Sequence, residues 1–472
     1  MSSYNFHSSI LRAYDIRGVV GETLSSADAY FIGRAFATFL PEGPKPIVVG
    51  RDGRLSSPDL EEAFIQGLQE AGRNVCSIGL ASTPLLYYTV FTHASAGGAM
   101  ITGSHNPSTH NGIKLMQGRM PLSGRQIQKL GRIAASGQFS AGKGVLQSFS
   151  PHKEYRDRLL QNLQIPSTLR VAWDTGNGAV GPLLQDLLPH LPCPSFLINA
   201  EVDGRFPHHP PDPSLPENLQ DLQALIREKS CDVGFAFDGD GDRIAVVDET
   251  GQHVATDDLL ILFSRDLLSA FPGATVIADV KTSQSFFNMA SHWGGKPIME
   301  RTGHSRIKSR LQETGALLAG ELSGHFFFAD HWYGFDDGLY TALRFLNLLG
   351  RRKETVSSLV RSVPQIFRTE ELSFPCPDAD KMRVIRRVAH RLRQEGIHFL
   401  AIDGVRVITP QGWWLLRASN TQDLLTGRVE ASSSKARDDL LETLKAYLQY
   451  GREERACHPR FSREFSRGRH RF

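Results

Sequence analysis

Three aspartates alternate with glycines in Asp238-Gly239-Asp240-Gly241-Asp242-Arg243, and carboxylates at that density repel one another unless a cation joins them. In an extended strand alternate Cα atoms stand about 6.6 Å apart, whereas oxygens sharing one Mg²⁺ lie about 2.1 Å from it and no more than about 4.2 Å from each other. The chain must therefore curl, and Gly239 and Gly241 permit it. An all-oxygen donor set suits Mg²⁺ better than zinc. A metal-free acidic turn is one alternative, and a calcium-binding helix-loop-helix is another, because Asp238, Asp240, Asp242 and Glu249 fall at its ligand positions. That second motif needs Gly where Arg243 stands, and the following Ile244-Ala245-Val246-Val247 reads as a strand.

A second stretch, Ile101-Thr102-Gly103-Ser104-His105-Asn106-Pro107, breaks an apolar lead-in with a compact polar turn. A serine hydroxyl becomes a useful nucleophile only when a neighbour takes its proton or a cation stabilises the product. His105 supplies a proton carrier and Lys114 a fixed cation. Gly103 allows a sharp turn and close approach to a ligand, and Pro107 stops a helix from running through Asn106. Taken alone, the stretch also reads as a capped Ser/Asn/Pro loop. Three carboxylates leave Mg²⁺ with excess negative charge, which suits a phosphate only if cations such as Arg243 help. A phosphorylated Ser104 carries about −1.5 to −2, so the two motifs explain each other.

The elements that must position these loops follow a repeating plan. Four apolar, β-prone runs end in Asp, at residues 47–52, 171–174, 233–238 and 276–279, as buried parallel strands do when functional loops leave their C-terminal ends. Helical patterns at 57–71, 217–229 and 257–269 alternate with them, implying βαβ units. A Ser/Gly-rich stretch at 136–143 reads as a first linker, and the proline-rich 202–216 as a long irregular loop within a second unit. Residues 249–253 read as a turn joining units two and three. A last unit begins near Phe367, with a helix at 378–394 and strands at 405–409 and 413–417. The expected domains are thus 1–145, 146–251, 252–366 and 367–449, followed by a mobile basic tail at 450–472.

Composition sets the outer limits. With 472 residues the chain exceeds one core, and its formal net charge is only +3. The final 22 residues hold seven Arg against three Glu, so the rest is almost neutral and no nucleic-acid partner is expected. Five scattered cysteines, none in a Cys-x-x-Cys pair, argue against a disulfide framework and a zinc cluster. The N-terminus lacks a basic segment followed by an apolar stretch, and no run nears the roughly 18 apolar residues of a membrane span. A cytoplasmic enzyme is the expectation, with monomer and dimer both open.

Two further loops complete a pattern. Gly320-Glu321-Leu322-Ser323-Gly324-His325 offers groups suited to adjacent sugar hydroxyls. Arg417-Ala418-Ser419-Asn420-Thr421 offers a guanidinium fork, hydroxyls and an amide, which suit a phosphate dianion. With these four ordered motifs, from Leu11-Arg12-Ala13-Tyr14-Asp15-Ile16-Arg17-Gly18 onward, the sequence resembles the α-D-phosphohexomutase superfamily, specifically its bacterial phosphomannomutase/phosphoglucomutase group.

The resemblance implies three related α/β domains with mixed sheets plus a smaller C-terminal α+β domain around a central cleft. It implies a phosphoserine at Ser104 and one Mg²⁺ per chain on Ser104, Asp238, Asp240 and Asp242. Glu321 and Ser323 are assigned to the sugar 3- and 4-hydroxyls, with His325 in the same substrate-binding loop. Arg417, Ser419, Asn420 and Thr421 are assigned to the non-reacting phosphate, and Arg428 is a second phosphate candidate. Tyr14, Arg17, Lys281 and His304 match family substrate contacts. Leu322 stands where this group typically has Met and phosphoglucosamine mutases have Gln, and Gln422-Asp423 replaces the usual Glu-Pro or Thr-Pro exit.

The implied reaction moves a phosphoryl group from Ser104 to a hexose 1- or 6-phosphate, mannose or glucose, through a bisphosphorylated sugar. Hexose 1,6-bisphosphate is the implied activator. Arg243 stabilises the transferring group, Lys114 or His105 accepts the proton, and closure of the C-terminal domain excludes water. Phosphoglucosamine mutase is the alternative within mutases; a metal-dependent sugar phosphatase and a non-catalytic sugar-phosphate sensor are alternatives outside them.

Overall fold

The computed structural model describes residues 3–12, 14–419 and 422–453. The chain divides after Gln365 into two compact units. Among the described residues no helix is long and apolar enough to cross a membrane.

Within the first unit, strands Ile47–Arg51, Val75–Leu80, Gly97–Ile101 and Leu146–Ser148 run parallel, and His110–Gln117 and Ile16–Val19 close one edge antiparallel. Alternate side chains of a strand point to opposite faces. Ile47, Val49, Ala99 and Ile101 therefore pack against residues of helices Ser26–Phe39 and Ser57–Glu70. Val48, Met100 and Met116 join Leu86 and Tyr87 of helix Thr83–Thr92 in a second apolar cluster.

A second sheet sets Val171–Asp174 parallel to Ser195–Ile198 and Val233–Phe237, then returns through Ile244–Asp248 and His253–Val254. A third sets Thr275–Asp279 parallel to Lys296–Glu300 and Leu318–Gly320, then returns through Phe326–Phe328. The sheets are mixed, and each parallel set gains an antiparallel strand where a candidate loop turns back. The fully buried rings of Trp173, Phe235, Phe345, Phe263 and Phe326 form one chain of contacts between the second and third sheets. Each buried aromatic contributes about 1.5–3 kcal/mol. The same cluster continues into Tyr87 and Met100, so the three sheets share a core.

Short strands carry two of the sheets past residues 145 and 251. Leu146–Ser148 pairs with Val75–Leu80, so the first sheet extends beyond residue 145. The Ser/Gly-rich stretch before it does not separate domains: Gly142 N–H and Gly144 N–H donate to the Glu70 and Gln69 carbonyls at the end of a helix. His253–Val254 pairs with Ile244–Asp248, which makes residues 249–252 a turn inside the second sheet. The expected helix at 217–229 opens as a 3-10 turn, Pro216–Leu219, before the α-helix Gln220–Lys229.

The second unit is an antiparallel sheet with Val405–Thr409, Gly412–Ala418 and Leu424–Ala431 at its centre. Trp414, Leu416, Leu425 and Val429 pack with Val388 and Leu444 of helices Asp378–Gln394 and Ser434–Arg452. The last helix passes residue 449 because Leu444, Leu448 and Gly451 keep its buried stripe going where the composition turns basic. Residues 454–472 of the expected tail lie outside the described residues.

Helices Ser26–Phe39 and Ser57–Glu70 meet backbone to backbone. A Cβ on Gly33 would stand 2.3 Å from the Phe64 carbonyl oxygen, and one on Gly67 would stand 2.2 Å from that of Tyr30. Gly33→Ala is expected to lower unfolding free energy by about 1–3 kcal/mol through overpacking, read as a lower denaturant midpoint at unchanged slope.

Candidate active site

Each candidate loop is the turn of an antiparallel pair. Residues 102–109 link Gly97–Ile101 to His110–Gln117, and Asp238–Arg243 lie between Phe237 and Ile244, which face each other across the hairpin. Residues 321–325 join Gly320 to its partner Phe326. In the second unit, Ser419 and Asp423 flank the turn between Ala418 and Leu424.

The first two turns meet. Ser104 Oγ donates to Asp238 Oδ2 at 2.7 Å, across 134 residues of chain. Ser104 is 2 % exposed and holds a left-handed φ of 51°, a conformation that costs a non-glycine residue about 1–3 kcal/mol and needs support. Asp52, at the end of the first Asp-terminated strand, supplies part of it. Its carboxylate accepts from Thr102 Oγ1 at 2.8 Å and Ser57 Oγ at 2.6 Å, and Thr102 Oγ1 in turn accepts from the Ser104 N–H at 2.8 Å. Gly103 does not provide the turn; a Cβ there would lie 2.5 Å from Arg54 Nε, so its role is to admit that side chain. Gly239 likewise makes room for the Ser104 carbonyl oxygen, 2.6 Å from where its Cβ would stand, and Gly241 takes the positive φ, 77°.

Asp238, Asp240 and Asp242 are fully buried. Lys114, on the strand beside the serine loop, donates to Asp240 Oδ2 at 2.7 Å and to Asp242 Oδ2 at 2.6 Å. Thr83 Oγ1 also donates to Asp240 Oδ2. Among the described residues Asp240 Oδ1 and Asp242 Oδ1 are buried with no hydrogen-bond partner, and one oxygen from each of the three acids lies within 4.8 Å of the others. Two orphaned oxygens in an all-carboxylate set fit a hard divalent cation.

Burial opposes the Lys114 charge, but Asp240 and Asp242 reverse that and hold its pKa well above the ordinary lysine value. Lys114 thus pairs as a cation with both acids in this arrangement. Burial, then the charges of Asp240 and Asp242, push Asp238 well above the usual carboxylate range. His105 Nδ1 lies 3.2 Å from Ser104 Oγ; burial first, then Arg243 and Arg17, lower its pKa well below that of free histidine. Its imidazole is neutral near pH 7.

The third turn joins through Arg243. Arg243 Nε lies 4.0 Å from Asp238 Oδ2 and donates to His325 Nε2 at 3.1 Å. His325 Nδ1 faces Asp336 Oδ2 at 3.1 Å, and His304 Nδ1 faces the same oxygen at 3.2 Å. Lys308 Nζ donates to Asp336 Oδ1 at 2.8 Å and stacks over the Tyr87 ring. Burial and then Lys308 bring His304 down to about 4. Glu321 is buried, accepts from the Gly303 N–H, and has its pKa raised chiefly by burial. Ser323 is partly exposed in the same turn.

Arg17 reaches the serine loop by donating to Asn106 Oδ1 at 2.7 Å. The Tyr14 hydroxyl donates to the Thr302 carbonyl, and its ring lies where a Gly303 Cβ would stand. Lys281 is buried just past Thr275–Asp279, and its charge acts on Glu321. Thus Tyr14, Arg17, Ser104, His105, Lys114, the three acids, Arg243, Lys281, His304, Glu321, Ser323 and His325 all belong to the first unit.

In the second unit, Arg417 Nε pairs with Asp403 Oδ2 at 2.9 Å while its Nη2 is buried with no hydrogen-bond partner among the described residues. Ser419 Oγ accepts from the Gln422 N–H. Strand register sets Arg417 opposite Thr426 and Leu415 opposite Arg428. Arg417 and Arg428 therefore share the sheet face opposite Leu416 and Val429. Asn420 and Thr421 lie outside the described residues.

Several supporting residues lie outside the expected site. Arg54 and Asp52 follow the first Asp-terminated run and were signalled by the same pattern that marked Asp238. Thr83, Lys308 and Asp336 carry no local motif. Lys381, on helix Asp378–Gln394, donates to the Ser419 and Gln422 carbonyls at 2.7 and 2.8 Å and so ties the ends of the fourth turn.

Comparison with known proteins covers nearly the whole chain. Four phosphoglucomutase/phosphomannomutase family descriptions match it: alpha/beta/alpha domain I at residues 8–141, domain II at 153–251, domain III at 255–367 and the C-terminal domain at 371–446. A phosphomannomutase/phosphoglucomutase of Pseudomonas putida is 42 % identical over 93 % of this chain and 95 % of its own length. A phosphoglucomutase of Neisseria gonorrhoeae is 42 % identical over 93 % of this chain and 96 % of its own. A crystal structure of a phosphoglucomutase/phosphomannomutase family protein from Burkholderia thailandensis superposes with a TM-score of 0.89 at 38 % identity, covering 94 % of this chain and 98 % of that one.

The buried charges give a direct test. Lys114→Met leaves two buried carboxylate oxygens without their cation, so the chelator-treated protein is expected to lose about 3–5 kcal/mol, measured by denaturant unfolding.

Proposed function

The chain belongs to the phosphoglucomutase/phosphomannomutase family, and from that premise we propose that phosphorylated Ser104 is the group that gives and recovers the phosphoryl moiety. The protein is a phosphohexomutase, an isomerase that interconverts sugar phosphates. The hexoses we assign to it are mannose and glucose, supported by the names of its relatives, with hexose 1,6-bisphosphate as activator.

The observation that carries this reading is the 2.7 Å contact between Ser104 Oγ and Asp238 Oδ2. It sets the hydroxyl beside a buried acid cluster fit for a cation. The family is metal-dependent, and the assignment here is Mg²⁺ on Asp238, Asp240, Asp242 and an oxygen of phosphorylated Ser104. When bound, the ion neutralises charge on the transferring phosphoryl group.

The chain's own residues do the rest. Arg243, 4.0 Å from Asp238 by its Nε, offers guanidinium donors to the phosphoryl oxygens as the bond to Ser104 loosens. The substrate hydroxyl gives its proton to His105 or Lys114. His105 lies beside Ser104 Oγ, and His325 links the sugar-reading turn to Arg243. Lys114 lies against Asp240 and Asp242 and balances their charge. Glu321 and Ser323 orient the sugar through its hydroxyls, with Tyr14, Arg17, Lys281 and His304 as further substrate contacts. Arg417, Ser419, Asn420, Thr421 and Arg428 are assigned to the phosphate that is not reacting. The sugar monophosphate takes the phosphoryl group of Ser104 to become a bisphosphate, and Ser104 then recovers the phosphoryl group at the other end.

In a mutase assay supplied with hexose 1,6-bisphosphate, Ser104→Ala is expected to fall to background and to take up no phosphate by intact mass. Near-normal turnover of Ser104→Ala would remove the phosphoserine. Stoichiometric release of inorganic phosphate by the unaltered protein would instead make it a phosphatase.

A further inference from the structure

The serine loop stands on a single buried guanidinium. Arg54 Nη2 donates to the Ser104 carbonyl at 2.8 Å and to the Asn106 carbonyl at 2.6 Å. Its Nη1 donates to the Pro107 carbonyl at 2.6 Å and the His110 carbonyl at 2.9 Å. Asp52 Oδ2 lies 3.2 Å from Nε and balances the charge. Four carbonyls of one turn thus converge on one planar fork, a geometry that the ammonium point of lysine cannot reproduce. The Ser104 carbonyl is held from the other side as well, because the Gly239 backbone of the acidic loop approaches it too closely for any side chain.

Arg54 is itself seated by the proline-rich loop of the second sheet. The Phe206 ring stacks on the guanidinium with its centroid 5.1 Å away. Gly204 abuts the Arg54 backbone, where a Cβ would stand 2.6 Å from Cα, and Val202 fills the space beside Gly53. Pro211 of the same loop touches the position of a Gly239 Cβ at 3.4 Å. One irregular segment therefore packs against both the support of the serine loop and the acidic loop.

The geometry points to Arg54 as a positioning residue for phosphoryl transfer, and to the loop carrying Phe206 as the element that sets Arg54 in place. The inference rests on the reading that Ser104 carries the phosphate. Ser104 holds a left-handed φ only while its carbonyl is anchored, and the direction of its Oγ toward Asp238 follows from that backbone. A displacement of about 1 Å at a reacting atom costs on the order of a hundredfold in rate.

The test uses full-length Arg54→Lys and Phe206→Leu with hexose 1,6-bisphosphate as phosphoryl donor. Single-turnover phosphorylation of Ser104 is followed by intact mass, alongside steady-state kcat and KM. Arg54→Lys is expected to lower the transfer rate constant and kcat by about a hundredfold, with the amplitude of phosphorylation retained and KM within about twofold. Phe206→Leu, the milder change, is expected to lower both rates by about tenfold with the same split. A wild-type rate constant in Phe206→Leu, or a loss in either variant confined to the amplitude, would overturn the proposal by reducing both residues to fold supports. Absence of phosphate on Ser104 in the unaltered protein would overturn the phosphoserine reading itself.

Discussion

Three carboxylates buried at zero exposure make up the constraint that most of the first unit serves. Charges so placed are tolerable only when paired and hydrogen-bonded. The pairing comes from a distant part of the chain: Lys114 lies opposite Met100 within the first sheet, and its ammonium takes the Oδ2 atoms of Asp240 and Asp242. Because Lys114 and Ser104 leave adjacent strands of one sheet, the neutralising cation and the reacting hydroxyl arrive at the acids together. The shared core holds the second sheet against the first, so the acids cannot leave them.

The same solution recurs one layer away. Asp336 is also fully buried, gives Oδ1 to Lys308 and turns Oδ2 toward His304 and His325. In both places a lysine anchors one side of a carboxylate, and the opposite oxygen faces the groups proposed to meet metal or substrate. An anchored acid cannot rotate away, so whatever faces its other oxygen is aligned without a further side chain. Arg243 lies between the two clusters, close to Asp238 on one side and bonded to His325 on the other.

What could be read from sequence was what sits close together along it. The Asp-Gly alternation, the polar turn around Ser104 and the four Asp-terminated runs are local patterns, and their physical reasons are local. Arg54 stands just past one of those runs, but its role, like those of Lys308 and Asp336, exists only after folding brings in carbonyls or histidines from elsewhere. The ion pairs of Lys114 are illegible for the same reason, since its two acids come from another sheet. Short strands such as Leu146–Ser148 and His253–Val254 are too brief for a periodic signal, so their pairing with the sheet before them was not legible.

The four strand-terminal acids show how much of the fold is one device reused. Asp52 accepts the Arg54 N–H, Asp174 the Gly176 N–H, Asp238 the Gly241 N–H, and Asp279 the Thr282 hydroxyl. Each closes the turn after a buried parallel strand, where a carboxylate is easily satisfied by amides or hydroxyls of the next residues. The turn is then stable whatever its remaining side chains are, and those side chains decide the chemistry. After Asp52 the turn presents Arg54 to the serine loop. After Asp174 the partners are Asn199 and His209, which draw the proline-rich loop inward toward its own strand end. After Asp238 two more acids follow at once, and only there does the device leave oxygens in excess of the donors available, which is the physical condition for a metal.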